Sequence, residues 1–521
     1  MSWLHLHDVV KVHAQIRPNK LAFKDRRRSI TFKAFNERTT KLANAFLDLG
    51  LKKGDRIATV LNNCIEFVEI YVAAGKAGVV VVPINFRLTP HEGLYICQNS
   101  DAKMMITERQ YADDINTTRE ELEKLIENNF FIIDDDSRDD WHYLEALVEK
   151  ASEQLPSTKI DDEDPWIILY TSGTTGVPKG VVRSHRSYTA FFLINATDYS
   201  FTPNDHALII MPLAHVNSTF YTFVFTYIGA SAYLGKEWGF EPEHFLKLVD
   251  EELPTFTSLV PTHYTLILNL PEEITSKYSR SSLKQLLTSS APVRRKTKLQ
   301  ILEFFPNARL FEAYGSTEAG LVTILRPEEQ IEKAGSIGRE CCGSDRIRLL
   351  HPDTREAVPE GEVGELFSRS PMLFTKYLKM PKKTVQSMDG EFFSARDMAK
   401  RDSEGYYYLV DRKDNMIITG GEHVYPSEVE EVISEYNGVF DVAVIGEPHE
   451  LWGEAVKAVV IPQDGVTLTE QEIINHCVNR LARFKKPKTV DFIKKEEMPR
   501  TATGKILHRK LRERYKGDFE D

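Results

Sequence analysis

Short apolar runs rich in β-branched residues alternate with longer segments of helical period along most of this chain. That alternation restricts the fold more than any other feature. Residues 56–61 form one such run, a helix-period segment follows at 66–77, and a second run comes at 79–83. Further runs at 166–170, 207–211, 256–260, 283–288 and 309–314 are interleaved with helix-period segments such as 243–250 and 294–304. Apolar strands separated by helices predict an α/β architecture of parallel-type sheets with strands buried on both faces. From residue 361 the pattern changes to Gly-rich turns between short strands at 361–367, 390–393 and 405–410, which predicts a β subdomain. Four consecutive charges at 411–414 separate it from a last region. There the pattern reads helix 426–436, strands 440–445 and 456–461, helix 470–481 and strand 490–493, an α+β unit able to hold its own core. A chain of 521 residues exceeds one comfortable core, so the expected domains are a large N-terminal one, 1–411, and a small C-terminal one, 412–521.

Directly after the apolar run at 166–170 stands a loop of unusual composition. Thr171, Ser172, Thr174 and Thr175 supply hydroxyls, Gly173, Gly176 and Gly180 supply backbone freedom, and Lys179 supplies a mobile cation. Glycines let the backbone approach an anion and turn its N–H groups toward it. Hydroxyls and a lysine complete a polyphosphate cradle. The Walker pattern does not account for it. That pattern needs Gly before the lysine and Ser or Thr after it, whereas Pro178 precedes Lys179 and Gly180 follows. The pair Gly504 and Lys505 fails as well, since Ile506 follows and Pro499 stands where the first glycine belongs.

The bulk numbers narrow the partners. A net charge of −11 argues against nonspecific binding to nucleic acid or to an anionic membrane, so cations for a nucleotide must be concentrated locally. No apolar run approaches the roughly 20 residues that span a bilayer, and the N-terminus lacks a signal-peptide core. A cytoplasmic location is therefore expected. The five cysteines are odd in number and lack metal-ligand spacing, which predicts reduced thiols, the adjacent Cys341 and Cys342 included.

The run 170–180 resembles the phosphate-binding signature of the adenylate-forming enzymes, the family of acyl-CoA synthetases, luciferases and nonribosomal-peptide adenylation domains. Five further segments resemble the family's motifs in its order: 211–215, ending in His215; 310–318, ending in Thr317 and Glu318; 392–397, ending in Asp397; 411–414; and 499–505, ending in Lys505. Residues 54–56 and 82–85 have its look less specifically.

The resemblance implies an ATP site of Thr171, Ser172, Gly173, Thr174, Thr175, Gly176, Lys179, Ser290, Ala291, Glu312, Ala313, Tyr314, Thr317, Asp397, Arg412 and Lys505. Within it Glu318 and Thr171 hold Mg²⁺, and Asp397 with Arg412 takes the ribose. Lys505, His215 and Thr171 are the implied catalytic residues. His215, Asn217, Phe220 and Tyr264 wall the acid pocket, Gly420 and Gly421 line a coenzyme A path, and Asp414 is the hinge of a mobile C-terminal domain. Physical chemistry gives Lys505 a reason: joining a carboxylate to a triphosphate requires a cation that bridges two anions while they are aligned. Other readings stay open beside these. A Glu following Ser316 and Thr317 also suits a helix start, an Asp in a turn suits a cap, and His215 suits a packed core. The aromatics Phe220, Tyr221, Phe223 and Phe225 suit a helix core as well as a pocket.

Two departures from the family pattern are visible. Ser289 and Ser290 stand where glycines are usual before Ala291 and Pro292, and the nucleotide site is expected to survive them. Ala395 and Arg396 stand where Thr-Gly usually precedes the ribose acid, which leaves the local backbone open while keeping Asp397.

The expected activity is an acid–thiol ligase that forms acyl-CoA through acyl-AMP on a medium- or long-chain fatty acid or an aromatic acid, with ATP, Mg²⁺ and coenzyme A. With residue 521 as its last, the chain is expected to use a free thiol. The alternatives are an acyl-AMP ligase delivering to a carrier protein and a nucleotide-binding regulator without turnover. Oligomeric state is open, a homodimer included.

Overall fold

The computed structural model describes residues 4–134, 140–171, 178–235, 239–290, 293–420, 422–478, 480–500 and 506–515. By internal contacts the chain divides into two compact units, residues 1–347 with 368–393, and residues 348–367 with 394–521.

In the first unit the described residues form two large sheets and a small two-stranded one. The nine-stranded sheet has a parallel centre of His206–Ile209, Ser231–Leu234, Phe256–Leu259, Gln285–Ser289 and Arg309–Ser316. Antiparallel pairs close both of its ends. The eight-stranded sheet is parallel from Pro165–Thr171 through Val80–Pro83 and Arg56–Val60 to the strands beyond Ala102–Thr107. It ends in the antiparallel strands Lys179–Ser184 and Lys376–Tyr377. The alternation in the sequence foretells this arrangement, since each parallel crossover needs an intervening helix. Helices Ile65–Ala77 and Val216–Ile228 are buried nearly all round, in a core that also takes residues from both large sheets. That explains their continuous apolar sequence. Phe220, Tyr221, Phe223 and Phe225 belong to that core.

The second unit holds two sheets. Arg348–Leu350, Gly364–Phe367, Asp397–Arg401 and Tyr407–Arg412 make an antiparallel four-stranded sheet. The long hairpin Val439–His449 and Gly453–Pro462 anchors a five-stranded sheet, with Thr489–Phe492 parallel beside it. Helices Pro426–Ser434 and Glu470–His476 pack on this sheet around Val429, Ile433, Val444 and Val460. The charged stretch 411–414 lies within this unit, its first two residues ending strand Tyr407–Arg412 and its last two in the turn that follows.

Candidate active site

The phosphate-type loop is held by a hairpin. Strand Pro165–Thr171 runs antiparallel to Lys179–Ser184, with Thr171 and Lys179 as Cα partners at its mouth. Ser172, Gly173, Thr174, Thr175 and Gly176 lie outside the described residues. Both flanking side chains, Thr171 and Lys179, are half-buried. A Cβ at Gly180 would meet Ile168, Tyr170 and Leu378 at 3.0–3.2 Å, so glycine is what lets these strands close here.

Beside this hairpin stands the turn that carries Glu318. Strand Arg309–Ser316 reverses into Gly320–Leu325, and a Cβ at Gly315 would come 2.1 Å from the Gly320 carbonyl oxygen. No other residue fits that crossing. The Ala319 N–H donates to Ser316 Oγ at 3.0 Å, and the Phe374 N–H donates to the Glu318 carbonyl at 2.7 Å. The buried Glu318 carboxylate accepts a hydrogen bond from the Tyr377 hydroxyl at 2.8 Å. Lys179 Nζ lies 4.9 Å from the centroid of that same tyrosine ring. Tyr377 thus joins the cation of the loop to the carboxylate of the turn. Sequence reasoning missed it, because a tyrosine at the end of a two-residue edge strand carries no local signal.

Glu312, Ala313 and Tyr314 sit on the same strand, and Ala313 is the register partner of Ser289. The Glu312 side chain turns toward helix Arg295–Phe304, where its Oε2 approaches Lys298 Nζ at 2.5 Å. Both groups are buried, and the contact is an ion pair rather than a well-aligned hydrogen bond. Burial raises the Glu312 pKa, against the pull of Lys298. That ion pair ties the strand to the helix. Ser290 has a φ of 74°, in the left-handed region that favours glycine, and Ala291 lies outside the described residues.

His215 caps helix Val216–Ile228, with Nδ1 accepting from the Asn217 N–H at 3.4 Å. Burial lowers its pKa, so the ring is neutral near pH 7. Asn217 Nδ2 donates to Ser258 Oγ at 3.0 Å and to Ser289 Oγ at 3.1 Å, drawing this helix residue and one serine from each of two paired strands into one polar patch. The segment before His215 is fixed by Asn63, whose Nδ2 donates to the Met211 carbonyl at 2.9 Å and whose Oδ1 accepts from the Leu213 N–H at 2.7 Å. Asn63 is a second positioning residue that no sequence motif marks. Two of the expected pocket walls are buried and packed. Phe220 stacks on Phe191 with centroids 3.7 Å apart, and the fully buried Tyr264 gives its hydroxyl to the Leu287 carbonyl at 3.1 Å.

In the second unit Asp397 and Arg412 are register partners, and Arg412 Nε lies 3.1 Å from Asp397 Oδ1. The structure therefore brings this sequence-expected ribose pair together. Arg396 adopts a φ of 67°, a glycine-like backbone carried by an arginine. Its guanidinium holds Asp414 Oδ1 at 2.7–2.8 Å. Gly420 has a φ of 59°, and its N–H donates to the Trp452 carbonyl at 2.8 Å. Gly421 and Lys505 lie outside the described residues.

The first unit thus sets hydroxyl, lysine and carboxylate close together, and the second unit by itself carries an acid–arginine pair. The chain belongs to the AMP-binding enzyme family. The family's sequence model matches residues 10–378, and that of the AMP-binding enzyme C-terminal domain matches residues 428–505. A long-chain-fatty-acid–CoA ligase of Mycobacterium tuberculosis is 33% identical over 490 residues, covering 93% of each chain. A feruloyl-CoA synthase of Amycolatopsis is 32% identical, covering 96% of this chain and 97% of its own. Among solved structures, ATP-bound MatB from Rhodopseudomonas palustris superposes with a TM-score of 0.86 at 28% identity, covering 100% of both chains. The Mycobacterium tuberculosis fatty acyl CoA synthetase does so with a TM-score of 0.78 at 31% identity, covering 98% of both.

Proposed function

We propose that the protein is an ATP-dependent acid–thiol ligase acting on a fatty or aromatic monocarboxylic acid. In the first step a carboxylate oxygen attacks the α-phosphorus of ATP, forming acyl-AMP and releasing pyrophosphate. In the second the thiol of coenzyme A attacks the acyl carbon, forming acyl-CoA and releasing AMP. The observation that carries this reading is the line from Lys179 through Tyr377 to Glu318, which sets a cation and a carboxylate at the mouth of the phosphate-type hairpin. The relatives support it, since their names pair coenzyme A with fatty, feruloyl and indoleacetic acids.

The residues fit a magnesium ion, because the Glu318 carboxylate and the Thr171 hydroxyl are hard oxygen donors. When bound, the ion neutralises phosphate charge. Lys179 contributes a further cation toward the leaving pyrophosphate. The neutral His215 and the amide of Asn217 offer the acid a polar border without a competing charge. Asp397 accepts from the ribose hydroxyls, with Arg412 holding the carboxylate in place. Lys505 bridges carboxylate and phosphate during adenylation, and Asp414 is the point about which residues 412–521 turn for the thiol step. Both cosubstrates are abundant in the cytoplasm, where we place the protein.

Lys505→Ala is the direct test. It is expected to cut acid-dependent ATP–pyrophosphate exchange by roughly 10²–10³-fold, while thioester formation from supplied acyl-AMP persists. Unchanged exchange would overturn the assignment.

A further inference from the structure

One buried cation takes no part in the chemistry above. Arg183 lies on strand Lys179–Ser184, on the return side of the phosphate-type hairpin, and its side chain is fully buried. Its guanidinium donates through Nη1 to the Thr317 carbonyl at 2.6 Å and the Glu318 carbonyl at 3.4 Å, and through Nη2 to the Met372 carbonyl at 2.5 Å. The rings of Tyr188 and Phe220 flank it, with centroids 5.2 and 4.9 Å from Cζ. Burial lowers the Arg183 pKa to about 10, a fall that the Tyr188 hydroxyl and the Glu318 carboxylate both oppose.

Burying a guanidinium without a contacting carboxylate is costly, and an apolar residue of similar volume is the cheaper occupant of such a slot. What an apolar residue cannot do is clamp carbonyls. The rigid fork of arginine reaches two chain segments at once. One is the turn at 317–318, which bears the metal carboxylate, and the other is the segment at 372, which runs on to Tyr377. The turn is therefore fixed at three points: by the close crossing at Gly315, by Tyr377 on the carboxylate, and by Arg183 on the carbonyls behind it.

We infer that Arg183 is a positioning residue for the Mg²⁺·polyphosphate site, holding Glu318 at the angle from which it meets the metal and placing a fixed positive charge behind it. This rests on the reading of Glu318 as the metal carboxylate. The preorganised carboxylate needs no reordering when Mg²⁺·ATP arrives, which is where such a clamp contributes affinity.

The test is calorimetric titration of ATP into wild type, Arg183→Met and Arg183→Lys, with Mg²⁺ and again with EDTA. Arg183→Met is expected to weaken Mg²⁺·ATP about tenfold, the worth of one lost charge-assisted hydrogen bond, and to leave metal-free ATP binding unchanged. Arg183→Lys, which keeps the cation and fewer carbonyl contacts, falls between, and it carries the test if the methionine variant does not fold. In a Glu318→Gln background the Arg183 substitutions are expected to add less than about twofold, because the effect runs through that carboxylate. An equal loss with and without Mg²⁺, no loss at all, or full multiplication in the double variant would overturn the inference. A wild type that binds Mg²⁺·ATP yet shows no acid-dependent pyrophosphate exchange defeats the ligase reading instead and leaves the role of Arg183 standing.

Discussion

At Ser290 and Arg396 this chain places side chains on backbone that glycine adopts more easily, with φ of 74° and 67°. Both are positions where the sequence departs from the family's glycines, so the departure was legible while the retained conformation was not. A motif gives residue types, whereas φ is set by what the flanking strands demand. The left-handed region costs an ordinary residue about 1 kcal/mol or more. Ser290 is exposed, so nothing packed is lost by removing its side chain. Ser290→Gly is therefore expected to stabilise the protein by about 0.5 kcal/mol, the relief of strain exceeding the cost of the extra freedom of the unfolded chain. The measurement is the urea midpoint at unchanged slope; a lower midpoint would mean that the serine is not strained. Arg396 differs in kind, because its side chain has gained a partner.

That partner is Asp414, and the pair belongs to the scale of elements. The strand beginning at Asp397 and the turn following Arg412 are joined by the Arg396–Asp414 ion pair and by the Lys413 N–H, which donates to the Arg396 carbonyl at 2.8 Å. Helix His508–Arg514 adds Arg512, whose Nη1 donates to the Asp414 carbonyl at 3.0 Å. If Asp414 is the pivot, these contacts hold one setting of it. Half-exposed ion pairs contribute about 1 kcal/mol or less, so Arg396→Ala is expected to shift the ratio of the adenylation rate to the thioester rate by up to about fivefold. Single-turnover assays of the two half-reactions read that ratio, and equal changes in both would show that the pair has no part in the turn. At this scale most elements were legible. The runs at 56–61, 256–260 and 309–314 reappear as Arg56–Val60, Phe256–Leu259 and Arg309–Ser316, because apolar periodicity survives any tertiary context. Contacts between distant segments were not. Tyr377 meets Glu318 across 59 residues and Arg183 meets Met372 across 189, and no pattern local to either end specifies such a meeting.

For the whole molecule, burial of histidines sets an acid limit on stability. Burial lowers the pKa of His7 and His263 to about 4, puts His185 well below the ordinary value of 6.5, and lowers that of His215. Above pH 6.5 these rings are neutral in both states and the native fold bears no penalty. Below it the unfolded chain takes up protons that the native rings refuse, so stability falls with pH until each native pKa is reached. Each such histidine contributes a slope of about 1.4 kcal/mol per pH unit. Carboxylates act elsewhere or in the opposite sense. Glu145, lowered by its hydrogen bonds to Arg38, loses its contribution only below 4.5. Glu69 and Glu312, raised by burial, are relieved as pH falls. A single substitution isolates the histidine contribution from these. The His185 ring stacks on Trp166 at 16° with centroids 5.5 Å apart, a geometry that phenylalanine can keep. His185→Phe is therefore expected to flatten the fall in urea midpoint between about pH 7 and about pH 5 by one proton's worth. An unchanged fall would place the acid sensitivity in other groups. His215, neutral over the upper part of this range, is expected to leave the adenylation rate independent of its own protonation near pH 7.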